Sequence, residues 1–202
     1  MMKEQPRGRN WTINGTAQST GGHFQKVTVR GEARVTGDIE CEQLKVMGTL
    51  DVQGNLNTGA AKIMGTVDVA GNASGEDVSL MGEMNVAGDC NAESFKCRGA
   101  FVISGLLNAG NIEVVLHGYS RAKEIGGDKI SVKPQSRFFS GGTRRLTVDT
   151  IEGDDINLAY TTARVVRGNR VEIGPGCEVE HIEYRSVLRV SDAAKVLEKT
   201  QL

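Results

Sequence analysis

Lys45–Asn55 reads KVMGTLDVQGN, Lys62–Asn72 reads KIMGTVDVAGN, and Ser79–Asp89 reads SLMGEMNVAGD. The three stretches begin seventeen residues apart, and the period extends beyond them. Gly31, Gly48, Gly65, Gly82 and Gly99 form one ladder at that spacing, and Gly37, Gly54, Gly71, Gly88 and Gly105 form a second. Internal repetition at a fixed short period is the mark of an array in which each unit buries its apolar face on the next.

Between the glycines the apolar residues fall into columns: Val46, Ile63 and Leu80; Leu50, Val67 and Met84; Val52, Val69 and Val86. Leu44, Ala61 and Val78 precede the first glycine, and Leu56, Ala73 and Cys90 follow the second. Within one copy, Leu44, Val46, Leu50, Val52 and Leu56 share one parity, as expected of strands buried on one face. An odd period would invert inside and outside on every copy unless one step were spent in a bend, which the reading places around Asn57–Ala60. Glycine is required where a side chain would collide or demand an unfavourable dihedral. The pattern predicts short parallel strands, coil stacked on coil about 4.8 Å apart, in an all-β solenoid.

Composition agrees with that architecture. The 202-residue chain has 26 glycines, three prolines and 4% aromatic residues, too few rings for a core built on them. Net charge is -1, which argues against a general nucleic-acid or membrane field. The distribution is uneven: residues 1–30 carry +4, 31–118 carry -7, 119–150 carry +4 and the remainder -2. No apolar run reaches the roughly 18 residues of a membrane helix, and the start, MMKEQPRGRN, is polar and basic. The expectation is a cytoplasmic protein. Cys41, Cys90, Cys97 and Cys177 lack metal-site spacing and read as small apolar residues.

The arrangement xVxG, then VxG, then an apolar residue two places on, carried by residues 27–118, resembles the bactofilins, bacterial polymer-forming cytoskeletal proteins. The later stretch LTVDTIEGDDINLAYTTARVVRGNRVEIGPGCEVEHIEY, residues 146–184, is similar to longer bactofilin-like proteins of spore-forming Gram-positive bacteria. The resemblance implies a single-stranded right-handed β-helix that polymerises end to end without nucleotide, with roles in cell shape, protein localisation or motility. It implies a homopolymer, or co-assembly with a paralogous bactofilin, and no cofactor.

The chain is thus divided into a mobile tail (1–10), a solenoid (11–118), an irregular loop interruption (119–145), continuing coils (146–186) and a tail or short capping helix (187–202), eight or nine coils in all. Val148, Val165 and Ile182 lie seventeen apart, as do Ile156 and Ile173, suggesting that the repeat resumes after the break. Ser191 is a candidate helix N-cap, with Ala194, Val196 and Leu197 on one side of that helix.

Three surfaces are candidates for function. Coil stacks leave unpaired strand edges and an apolar cross-section at their tips, so Trp11, Ile13 and Phe24 at one end and Val179, Ile182 and Tyr184 at the other are the expected polymerisation interface. Met47, Met64 and Met81 form an outward column between Arg30 and Arg98, a candidate lateral or partner surface whose plainer role is to fill space at a corner. Arg137, Phe138, Phe139, Arg144 and Arg145 form a basic aromatic loop suited to peripheral membrane contact or an acidic partner, or to packing on the solenoid; Lys3, Arg7 and Arg9 add basic charge.

Catalysis finds no comparable signal. His23, His117 and His181 have no nucleophile at a recognisable spacing, and neither a phosphate loop nor HExxH occurs. The competing class is the hexapeptide acyltransferases, whose coils use three hexads and a His at an edge; His117 would be that residue. A monomeric scaffold that binds a protein partner along one face is the other alternative. No catalytic, cofactor or metal residue is expected, and no nucleic-acid partner.

Overall fold

The computed structural model describes residues 9–135 and 144–202. It is a β-solenoid of about eleven turns, with parallel strand pairing throughout and no helix among the described residues. The first half alternates short and long strands: β1 (Arg9–Ile13), β2 (Thr16–Ser19), β3 (Gly22–Val29), β4 (Glu32–Val35), β5 (Ile39–Val46), β6 (Thr49–Val52), β7 (Leu56–Ile63), β8 (Thr66–Val69), β9 (Ala73–Leu80), β10 (Glu83–Val86) and β11 (Cys90–Cys97). The second half runs these pieces together into β12 (Ala100–Leu116), β13 (Tyr119–Pro134), β14 (Arg145–Leu158), β15 (Thr161–Ile173), β16 (Glu178–Val190) and β17 (Lys195–Gln201).

The columns read from the sequence are ladders in space. Val46 pairs with Ile63 and Ile63 with Leu80, while Val52 pairs with Val69 and Val69 with Val86. All six are at most 3% exposed, and each such burial contributes about 1.5–3 kcal/mol before chain entropy is counted. In β7 the buried residues are Leu56, Thr58, Ala61 and Ile63, so the alternation slips at Gly59–Ala60, where the parity argument requires a bend.

The two glycine ladders have different causes. A Cβ on Gly48 would stand 2.0 Å from the carbonyl oxygen of Gly31, and Gly65 and Gly82 meet the preceding glycine at the same 2.0 Å. None of these has a positive φ, so it is the close approach of successive coils, not a forbidden dihedral, that excludes side chains. At the second ladder the obstacle is a side chain. A Cβ on Gly71 would lie 2.5 Å from Asn55 Oδ1, and one on Gly88 would lie 2.1 Å from Asn72 Oδ1. Those oxygens accept backbone N–H bonds from the next coil: Asn55 N–H donates to Asp38 Oδ1 (2.7 Å), Asn72 to Asn55 (2.9 Å), Asp89 to Asn72 (2.8 Å) and Leu106 to Asp89 (2.8 Å). Side chains thus complete the ladder where the backbone turns away from it.

Beyond Leu106 the pitch changes. The offset is 18 at Leu107↔Ile125, 26 at Ile125↔Ile151 across residues 135–144, 15 at Ile151↔Val166 and 16 at Val166↔Ile182. The three-residue corner Gln53–Asn55 has shrunk to one residue, Asp149, between paired Val148 and Thr150. The apparent period of seventeen in this half is therefore a coincidence. Val148 stacks on Ala163, which stacks in turn on Val179; Val165 stacks on Thr150 and His181; Ile156 stacks on Val171 rather than Ile173.

Four further expectations are corrected. Residues 119–134 are strand β13, paired on both sides, rather than part of an irregular interruption; of the remainder of that expected segment, residues 136–143 lie outside the described residues and Arg145 opens β14. Residues 187–202 form no helix: Val187–Val190 finish β16, and β17 adds a further parallel strand. Ser191 does accept an N–H bond from Ala193 (3.2 Å), as a cap would, but strand resumes at Lys195. The coil count is about eleven rather than eight or nine. Of the expected N-terminal tail, Arg9 and Asn10 belong to β1, and residues 1–8 lie outside the described residues.

Candidate assembly surfaces

The N-terminal tip is built by β1 and β2, which lie over β3 and β4. Trp11 stacks on Phe24 with ring centroids 5.5 Å apart and a 20° interplanar angle, and the Arg9 guanidinium lies 5.4 Å from the centre of the Phe24 ring. Phe24 and Ile13 are consequently buried, and Trp11 with Ala17 is left half-covered at the tip.

The C-terminal tip lies one coil further on than the sequence suggests. Val179 is covered by Val196 and Ile182 by Lys199, so both are buried within the stack, and half-buried Tyr184 pairs with Gln201. The incompletely covered residues there are Leu188, Val190, Ala194 and Val196. β17 is mixed in character: Val196 continues the apolar column of Val179, while Lys199 and Gln201 occupy columns held by Ile182 and Tyr184 one coil earlier. A charge in an inward column is a device that blunts strand-edge pairing. Leu197 points outward, 82% exposed, because strand alternation separates it from Val196.

The methionine column is a corner, not a filled interior. Met47, Met64 and Met81 each donate a backbone N–H to the preceding coil, at Val29, Val46 and Ile63, which stacks them one above another. Met47 and Met81 are exposed and Met64 half-exposed. Of the basic aromatic loop, Arg137, Phe138 and Phe139 lie outside the described residues. Arg145 opens β14, donates to Thr162 Oγ1 (2.6 Å) and lies 3.7 Å from Glu178.

Burial pushes the Cys90 and Cys97 thiols up to about 12, so they remain protonated and weakly nucleophilic. His117 is exposed at a corner, its N–H donated to the Gly99 carbonyl (3.3 Å). His181 lies between Glu198 (3.0 Å) and Glu183 (3.3 Å) on the last two coils. No group of three or more His, Cys, Asp or Glu side chains suited to holding a metal occurs among the described residues. No helix there is long and apolar enough to cross a membrane.

The sequence reading missed two features. Asp38, Asn55, Asn72 and Asp89 follow Gly37, Gly54, Gly71 and Gly88, so their ladder was visible as GD or GN at the repeat spacing. The second is a set of alternating charges across coils β14 to β16. Arg167 Nε donates to Glu183 Oε2 (2.5 Å), with Nη1 3.4 Å from Glu152; Arg170 pairs with Asp155, and Arg189 with Glu172 (2.7 Å). Hydrogen bonding from Arg167 is the first cause holding the Glu183 carboxyl below its ordinary range, and Arg170 does the same for Asp155. Arg167 and Arg170 reach partners 15 or 16 residues away, which a seventeen-residue template could not reveal; Arg189 and Glu172 are seventeen apart and lay within its reach.

Two relatives of Bacillus subtilis (strain 168) are similar to part of this chain. One, "Uncharacterized protein YhbF", is 44% identical over 97 residues, covering 48% of this chain and 41% of the relative. The other, "Uncharacterized protein YhbE", is 37% identical over 101 residues, covering 48% of this chain and 43% of the relative. The chain therefore spans less than half the length of the relatives it matches. No family model and no solved structure matches.

Proposed function

We propose that this protein is a bactofilin-like cytoplasmic scaffold that self-associates end to end, without nucleotide, and so organises other cell components. The observation that supports this reading is where incomplete burial falls. Among the described residues, the half-buried apolar side chains packed on the core are, apart from Ala92, confined to the first coil (Trp11, Ala17) and the last coils (Tyr184, Leu188, Val190, Ala194, Val196). Between them each coil covers the next almost completely. A stack of this kind carries at each tip the same unpaired backbone and apolar cross-section that its interior uses for cohesion. Nothing in that template requires a bound nucleotide.

Lys199 and Gln201 favour a second reading, in which the C-terminal coil is partly blunted and the molecule acts as a scaffold that binds a protein partner along a face. Sedimentation velocity of the pure chain over a concentration series separates the two. End-to-end assembly predicts a growing distribution of species that collapses to monomer in Trp11→Glu/Ala17→Glu and in Leu188→Glu/Val196→Glu. A monomer at every concentration in the unmodified chain supports the partner-binding scaffold instead. If only the Trp11/Ala17 variant changes the distribution, association runs through the N-terminal tip alone.

A further inference from the structure

We propose that His181 is a pH-sensitive latch, which holds the last strand on the solenoid when its imidazole is doubly protonated and loosens it when the ring is neutral. That strand, β17, is lightly held. Of its seven residues Val196 is half-buried and the other six are exposed. Among the described residues the ion pair that joins it to β16 is His181–Glu198, with His181 Nδ1 3.0 Å from Glu198 Oε2. On the other side of the ring, His181 Nε2 lies 3.3 Å from Glu183 Oε1. Both ring nitrogens therefore face carboxylate oxygens, one on its own strand and one on β17.

A neutral imidazole has one N–H and one lone pair, so it donates to one of these carboxylates and turns its lone pair on the other. The imidazolium donates to both and sets a positive charge between them. The neighbouring strands leave that role to the ring. In β15 the residue paired with His181 is the uncharged Val165; Arg164 precedes it, and Arg167 is engaged with Glu183 and Glu152. In β16, Glu180 adjoins His181 and adds a further negative charge. In β17, Lys195 stands over Glu178 and Lys199 over Ile182, which leaves Glu198 over His181. With the ring charged, Glu152, Arg167, Glu183, His181 and Glu198 alternate in sign from β14 to β17. With the ring neutral the series stops short of β17. His23 is the contrast: it meets one carboxylate, Glu40, at 2.9 Å, and a neutral ring can serve one partner.

Histidine changes charge within about pH 5–8, a range in which carboxylates stay ionised. The latch therefore holds at the acid end of that range and loosens as pH rises through it. What it keeps covered is Val179 and Ile182, on which Val196 and Lys199 lie. The latch acts within one molecule and does not depend on association through the tips.

The test is hydrogen exchange of the 202-residue chain at about pH 5.5 and about pH 8, corrected for intrinsic rates, at a dilution where exchange no longer varies with protein concentration. Protection of β17 in the unmodified chain should be about threefold or more greater at the lower pH, with β5–β9 unchanged. His181→Gln should remove the dependence and hold β17 near its weaker protection. His181→Lys, charged throughout the range, should hold β17 near its stronger protection at both values. His23→Gln should keep the dependence of the unmodified chain. Circular dichroism identical to the unmodified chain establishes that each variant is folded, and the first comparison needs no variant. Equal protection of β17 at both values in the unmodified chain would overturn the proposal. So would a dependence that persists in His181→Gln, or protection in His181→Lys no greater than in His181→Gln at the higher pH.

Discussion

The two halves of the solenoid hold their coils in register by different means. From β3 to Leu106 every coil has seventeen residues, after a first coil of sixteen, and the register is fixed at the corners: glycine carbonyls at one, and asparagine or aspartate side-chain oxygens accepting backbone N–H groups at the other. Beyond β12 those ladders stop, the coils take 15 to 26 residues, and charged side chains of alternating sign cross from coil to coil. Corners that admit only glycine make the sequence repeat itself. Where exposed side chains tie the coils, the spacing is free to drift.

The largest effect expected from this contrast comes from adding a Cβ inside the first ladder. Gly65→Ala places a methyl 2.0 Å from the Gly48 carbonyl oxygen, whereas a Cβ on Gly15, in the first described coil, meets nothing within 4 Å. Urea denaturation should show Gly65→Ala destabilised by about 3 kcal/mol or more, and Gly15→Ala within about 0.5 kcal/mol of the unmodified chain. Equal effects at both sites would remove the interlayer account. Next in size is Phe95→Ala. Phe95 is fully buried and meets Phe101 edge-on with centroids 5.5 Å apart, and its loss should cost about 3–5 kcal/mol.

Smaller changes probe the corners and charges. Asn72→Ala leaves the Asp89 N–H without its acceptor and should cost about 1 kcal/mol, with faster amide exchange at Asp89 as the local sign. Arg167→Ala should cost less than about 1 kcal/mol, because that pairing is partly exposed and screened by salt.

Acid should separate the halves. Glu183 and Asp155 have folded-state values below their ordinary 4.5 and 3.8, so their pairings stabilise the fold above those values and lose that contribution as pH falls through and below them. Hydrogen exchange compared at about pH 7 and about pH 3, after correction for intrinsic rates, should show protection lost in β14–β16 ahead of β5–β10. The opposite order would sink the distinction.

The same contrast explains what could be read from the sequence. Val46 over Ile63 over Leu80, the bend at Gly59 and the glycine corners were legible because an identical backbone position recurs at an identical interval. The Asp38–Asn55–Asn72–Asp89 ladder was equally regular, but its role depends on where the side-chain oxygens point. In the second half a coil of 15 residues followed by one of 16 hides the true partners, and Val148, Val165 and Ile182 offered a false register. Residues 191–199, SDAAKVLEK, have good local helix propensity, which the exposed edge of β16 overrides by pairing with β17. The tip residues were misplaced for the same reason: with β17 unrecognised, Val179 and Ile182 stood where Val196 and Lys199 do. Arg137, Phe138 and Phe139 fall outside the described residues, so no comparison applies to them.

Negative-stain electron microscopy of the purified 202-residue chain, with no nucleotide added, tests most directly whether this solenoid propagates through its tips. Filaments one solenoid wide are the predicted result, shortening to single rods in Trp11→Glu/Ala17→Glu. Isolated rods about 50 Å long at every concentration, the length of about eleven stacked coils, would contradict it.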